Sequence, residues 1–270
     1  MTPNNKKTYG MIKGTLSLLG LLGRQPFLPG FKLTQRTCDS IISYDKKWNR
    51  AFNLYKAQPG CQPMHAWQSY QFPTCNVVHE QPLNDNEEGK YLAAGSWRQT
   101  FQLHDSGTDD RIAMKTLRNK LSFDAGTTEM HRVDSLMYER LTSSPSVMDI
   151  YGYCGHSGLF EFSDGGTLKD LVLNRQRRGK KPFISRVDKL SLAVEVASGV
   201  ADLHTMESRN GYSAMVHTDL YLPQFVRSGD TNKLNDFNRG HLMYWNHRKR
   251  ESCPYNWPEP NPGHVSSFIV

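Results

Sequence analysis

Three charged residues stand in or just after ordered elements, where side chains can work on a ligand. Lys115 lies in a strand-like run at Ala113-Met114-Lys115, Asp219 follows a long helical pattern in His217-Thr218-Asp219, and Asp236 ends a hairpin pattern in Asn235-Asp236-Phe237-Asn238. A fixed ammonium can hold an anion, and a carboxylate can orient a proton or ligate a cation. Taken singly, each has a plainer reading: a strand lysine is usually a surface residue, and His-x-Asp and Asp-Phe recur by chance. Their weight comes from their order and from the elements between them.

Those elements can be read from periodicity. Lys90 to Leu103 and Arg111 to Leu117 predict two strands around a hairpin containing Gly107. Val133, Met137 and Leu141 share one face of a helix that should stop at Ser143-Ser144-Pro145, because the residue before proline avoids helical geometry. Strands are expected again at 147–153 and 158–162. Leu190, Ala193, Val194, Ala197, Val200, Ala201 and His204 recur at i, i+3, i+4 spacing, which predicts a long helix with a buried stripe. Phe225 to Phe237 reads as strand, turn and strand, carrying Asp236 to a position beside Asp219. The organised unit is expected to begin near residue 85. Before it, residues 1–84 read as an extension, basic at first and then rich in proline and aromatics, packed on the unit that follows.

With its motifs in this order, the chain resembles a protein kinase domain over roughly residues 90–240. Smaller matches agree: Leu92 to Phe101 is similar to a glycine-rich loop, Phe160 to Leu168 to a hinge with its following glycine pair, and Asp149-Ile150-Tyr151-Gly152 to the strand after the regulatory helix. The resemblance implies an α+β, two-lobe fold. A β-rich N-lobe with a regulatory helix would span about 85–162, and a partial, mainly helical C-lobe about 163–270.

The resemblance also implies a division of labour. Lys115 would hold the α- and β-phosphates of ATP, with Gly95, Asp134, Glu161 and Phe162 on the nucleotide. Asp219 would orient the accepting hydroxyl or take its proton. Asp236 and Gln224 would hold Mg²⁺, Gln224 standing where the family has asparagine. Asp134 is the expected partner of Lys115; Glu139 competes, but lies about 140° further round the helix, so both cannot face one lysine. The implied activity is transfer of the ATP γ-phosphate to a protein hydroxyl. The alternative is a pseudokinase or incomplete kinase that binds or scaffolds.

Departures from the family pattern favour that alternative. Ala93 and Arg98 stand at two glycine-loop positions, and Arg98 could itself reach a phosphate. Thr218 and Tyr221 replace an arginine and a lysine, and Asn238 replaces the glycine after Asp-Phe. Only 34 residues follow Asp236, with no Ala-Pro-Glu equivalent. Without later helices, the apolar face of the Leu190–His204 helix is expected to stay partly exposed.

Composition narrows the class. The chain has 270 residues, 37% hydrophobic and 22% charged, within the globular range. Residues 1–50 carry nine Lys/Arg against two Asp/Glu, while the remaining 220 balance at 24 against 24. A neutral body argues against nucleic acid as a partner and leaves the basic arm free for weak contact with an anionic membrane surface. The uncharged stretch from Gly14 to Gly23 is ten residues, too short to span a bilayer, which takes about 20. Lysines 6, 7 and 13 before Leu16 to Leu22 resemble a signal-peptide layout without a clear cleavage site. The absence of an Asn-x-Ser/Thr sequon favours an intracellular location, with membrane association as the alternative. Five cysteines, Cys38, Cys61, Cys75, Cys154 and Cys253, show no CxxC pairing, so neither a zinc site nor a disulfide framework is expected.

Overall fold

The computed structural model describes residues 58–79, 89–105, 108, 110–177 and 184–254. The basic arm, the Leu16–Leu22 run, Cys38, Gly107, most of the polar turn at 84–89 and the tail from Trp257 lie outside the described residues.

Strands and helices are both present, and sheet pairing is antiparallel throughout the named strands. Strands β2 (Lys90–Ala94), β3 (Arg98–Asp105), β4 (Asp110–Leu117), β5 (Ile150–Cys154) and β6 (Ser157–Glu161) form one sheet in the order β2-β3-β4-β6-β5. Alternation along β4 sends Ile112 and Met114 to one face and Ala113 and Lys115 to the other. On the first face Ile112 packs with Leu103 and Leu159. On the second, Ala113 and Phe160 join the main core with helix α2 (Ala125–Leu141).

Helix α2 begins where Asp124 accepts the Thr127 backbone N–H at 2.8 Å while the Thr127 hydroxyl accepts the Asp124 N–H, a reciprocal cap. It ends at Leu141, ahead of Pro145, with Val133, Met137 and Leu141 buried as their spacing predicts.

Beyond the sheet lie α3 (Leu168–Arg177) and α4 (Arg186–Thr205), then β7 (Met215–His217), the hairpin β8 (Phe225–Ser228) and β9 (Thr231–Leu234), and β10 (Gly240–Leu242), which pairs with β7. Gly199 lets α4 approach β9 closely, since a Cβ there would meet the Ser146 carbonyl at 3.0 Å and the Leu234 Cβ at 3.1 Å. After α4 the described residues hold no further α-helix, but they are not loose. Gly240 to Ser252 folds back as short strands, with Trp245 only 1% exposed.

Two sequence expectations are corrected by the fold. Most of the expected stripe on α4 is exposed, Leu190 at 67% and Val194 at 57%; of its residues Val200 is buried, beside Gly199 and Leu203, and Leu192 and Val196 pack on the core. The helix is apolar on both sides, so periodicity alone could not select the packed one. The cysteines do form a framework, Cys61–Cys253 and Cys75–Cys154. Chain folding brings together residues 192 and 79 apart in sequence, which spacing motifs do not report. Residues before 85 pack against the unit that follows. Strand β1 (Cys61–Pro63) pairs with β11 (Tyr244–Asn246), which also pairs with β12 (Glu251–Ser252). Met64 lies in the main core, and the buried Gln68 amide donates to the Met243 carbonyl at 3.0 Å. Helix α1 (Cys75–His79) is bonded to β5 through Cys75–Cys154, with Val78 against Leu103, Ile112 and Leu159.

Candidate functional site

The β3–β4 register builds one side of the site. Thr100 stands opposite Lys115 and Arg98 opposite Leu117, so Arg98 and Lys115 are diagonal neighbours on the face that meets α2. From α2 come Asp134 and Tyr138, four residues apart and therefore on one side of the helix. The third contribution is Asn235 and Asp236, just after β9, where Asp236 adopts φ +67°.

These side chains form one network. The Arg98 guanidinium grips Asp134 with Nη1–Oδ2 at 2.5 Å and Nη2–Oδ1 at 3.3 Å, and reaches Asp236 Oδ1 through Nη2 at 2.6 Å. Lys115 Nζ donates to Asn235 Oδ1 at 2.6 Å and to the Tyr138 hydroxyl at 3.4 Å, and lies 4.5 Å from the Phe160 ring centroid. The Tyr138 hydroxyl donates to Asn235 Oδ1 at 2.6 Å and accepts the Asp236 backbone N–H at 2.7 Å. Tyr138 is thus the post on which the Asn235-Asp236 corner is hung. Phe237, fully buried, packs edge-on against its ring at 4.7 Å.

The electrostatics follow from this crowding. Burial pulls the Lys115 ammonium down to about 8, and Arg98 beside it acts in the same direction. Burial opposes charge on Arg98 too, but Asp134 and Asp236 outweigh it and hold the guanidinium protonated. Burial pushes Asp134 above the usual carboxylate range against the pull of Arg98. For Asp236 burial is offset by Arg98 and Lys115, and the carboxyl lies below its ordinary value. Burial, then Asp134 and Asp236, keep Tyr138 a neutral hydroxyl.

Asp219 sits in the loop after β7. Its Oδ1 faces Arg239 Nη1 at 3.2 Å and its Oδ2 accepts from Gln224 Nε2 at 3.1 Å. Its backbone N–H donates to His217 Nδ1 at 3.1 Å, and His217 Nε2 lies 3.4 Å from the Asn235 carbonyl. Burial lowers the His217 pKa, so the neutral tautomer with Nε2–H fits both contacts. His217 therefore links the Asp219 loop to the Asp236 corner.

The remaining expected residues lie in different surroundings. Asp134 meets Arg98 rather than Lys115, and Glu139 lies beside Arg140 and Tyr153. The Glu161 carboxylate accepts from Lys233 Nζ at 2.9 Å and from the Ser228 hydroxyl, tying β6 to the β8–β9 hairpin. Burial opposes its ionisation, but these hydrogen bonds prevail and lower its pKa. Phe162 carries Arg111 over its ring at 4.6 Å. Gly95 turns the chain between β2 and β3, its N–H donating to the Arg98 carbonyl at 2.8 Å.

Arg98, Tyr138, Asn235 and Arg239 complete the arrangement, and sequence reasoning gave only Arg98 a role. For Tyr138 the available signal was its i+4 spacing from Asp134; for Arg98 it was strand parity with Lys115.

A divalent cation does not fit this arrangement. Asp236 Oδ1 is held by Arg98, Asp219 is shared between Arg239 and Gln224, and Gln224 turns its amide nitrogen, not its oxygen, toward that carboxylate. Among the described residues no cluster of three or more His, Cys, Asp or Glu side chains could enclose a metal ion. What the arrangement offers is a pair of fixed cations, Lys115 and Arg98, beside a carboxylate that both offset. No protein-family model and no curated protein matches the chain.

Proposed function

We propose that the chain is an ATP-dependent phosphotransferase of the protein kinase type, built as two lobes with a β-rich N-terminal part and a partial C-terminal part, acting on a protein hydroxyl. The observation that carries this reading is the convergence of Lys115 on the Asn235-Asp236 corner, joined through His217 to the loop that bears Asp219. In it, Lys115 holds the α- and β-phosphates, and Asp219 orients the accepting hydroxyl while Arg239 and Gln224 fix its carboxylate. Glu161 and Phe162 stand at the family's hinge position, although the Glu161 side chain faces Lys233.

One observation favours the second reading, a pseudokinase or incomplete kinase that binds or scaffolds without turnover: both Asp236 and Asp219 are paired with arginine. The two disulfides support folding in an oxidising compartment, where such bonds persist, over the reduced cytosol that the missing sequon favoured.

The test is ATP binding by thermal shift, since a ligand of the native state raises the melting temperature by mass action. The shift should be lost in Lys115→Met. Transfer of labelled γ-phosphate to a peptide library, abolished by Asp219→Asn, selects the first reading. Binding without transfer selects the second, and a folded chain whose melting temperature ATP leaves unchanged overturns the first reading and any nucleotide site, leaving a scaffold.

A further inference from the structure

The carboxylate expected to hold a metal ion is already held by a cation of the chain itself. Arg98 is 8% exposed and Asp134 1%, so both charges have left water and depend on each other. Asp236, 30% exposed, is the outward end of the same bridge. One guanidinium thus spans two carboxylates, a task its planar fork performs and a lysine ammonium does not.

The charges around the corner are Arg98 and Lys115 against Asp134 and Asp236, which sum to zero. A free Asp236 would repel a polyphosphate, and a divalent ion between the two would be required. With Arg98 in place that repulsion is cancelled by the chain. A metal ion approaching Asp236 Oδ1 would have to displace a charge-assisted hydrogen bond of 2.6 Å from a guanidinium that the two acids keep protonated against its burial. The corner is also held in the geometry that meets Arg98. Asp236 is fixed at φ +67° by its N–H on Tyr138, and the Asn235 side chain is anchored by Tyr138 and Lys115.

We propose that Arg98 takes the place of a divalent cation at Asp236, so that this site binds the polyphosphate of a nucleotide without magnesium. This rests on the nucleotide reading above. Lys115 makes the phosphate contact, and Arg98 supplies the compensating charge, with Asp134 locking it from behind.

The test uses the full chain, with ATP as the probe and titration calorimetry as the readout, in EDTA and in excess Mg²⁺. The two dissociation constants should agree within about threefold. In Arg98→Met the carboxylate of Asp236 is released: affinity in EDTA should fall by about tenfold or more, and Mg²⁺ should restore it. Because Arg98→Met leaves Asp134 buried and unpaired, the double variant Arg98→Met/Asp134→Asn is measured beside it and should show the same switch to metal dependence. Wild-type binding that weakens by about tenfold or more in EDTA overturns the inference and leaves the nucleotide reading standing. Metal-independent binding that both variants retain overturns the assignment to Arg98. No ATP binding in either condition overturns the nucleotide reading and this inference with it.

Discussion

Helix α1 depends on a covalent bond more than on packing. It has five residues, none of them buried; besides Val78 against the Leu103, Ile112 and Leu159 cluster, this segment meets β5 through the Thr74 N–H on the Tyr153 carbonyl at 2.9 Å, the Tyr153 N–H on the Thr74 hydroxyl at 3.0 Å and the Phe72 N–H on the Tyr153 hydroxyl at 3.1 Å. Gly152 allows that approach, since a Cβ there would fall 2.7 Å from Thr74 Oγ1. Replacing Cys75 and Cys154 together by alanine opens a loop of sequence separation 79. On chain entropy alone this frees the unfolded state by about 4 to 5 kcal/mol, and measured losses of native disulfides run about 2 to 5 kcal/mol. Denaturant unfolding should therefore show a loss within that range, with a slope that rises because the chain without the cross-link exposes more surface when unfolded. Hydrogen exchange should show residues 75–79 opening first, because local stability there falls below that of the core. ATP affinity should hold within about twofold, since neither cysteine touches the Lys115 network. An unchanged unfolding midpoint, or thiol mapping that finds both cysteines reduced in the native chain, refutes the reasoning.

Three further outcomes are expected. Tyr138→Phe keeps the ring contacts with Phe160 and Phe237 but leaves the Asp236 N–H without its acceptor, costing about 1 to 3 kcal/mol in denaturant unfolding; unchanged stability would remove Tyr138 as the anchor of the corner. With the folded-state pKa of Lys115 lowered to about 8 from 10.5, the unfolded chain holds a proton that the native state releases, so Lys115 raises stability as pH climbs through that interval. On the proposed nucleotide reading its contribution to ATP affinity runs the other way, present below about pH 8 and lost above, with a midpoint that the ligand's own charge moves upward. Lys115→Arg should abolish that loss in a pH series of titrations. Burial first, and Arg98 second, pull His131 down to about 3 from 6.5, so the unfolded chain gains the proton first and stability falls as pH drops between those values. The full effect is on the order of 5 kcal/mol, and His131→Phe should flatten the acid limb of a pH–stability curve.

The resemblance drawn from the motifs and the structure meet at particular residues. The strands carrying Arg98 and Lys115, the helix carrying Asp134 and the hairpin before Asp236 could all be read from alternation, i, i+3, i+4 spacing and turn residues, because those signals are local. The stop of α2 before Pro145 was legible for the same reason. The ion pairing was not. Asp134 could be matched to Lys115 by position along the chain, yet it meets Arg98, because strand register puts the two cations side by side and the guanidinium fork reaches two acids at once.

Sequence by itself determined the mixed α and β content, the places of helices α2 and α4 and of the β8–β9 hairpin, the neutral body with its basic arm, and the chemical types available near Asp236. Tertiary structure decided which of two apolar faces of α4 is buried, since burial depends on what the rest of the chain offers and not on periodicity. It decided the cysteine pairs and the entry of Met64 into the core, both of which join segments nearly 80 residues or more apart. It also decided that the cation beside Asp236 is Arg98, because contacts between distant segments follow from distances and directions that no local pattern encodes.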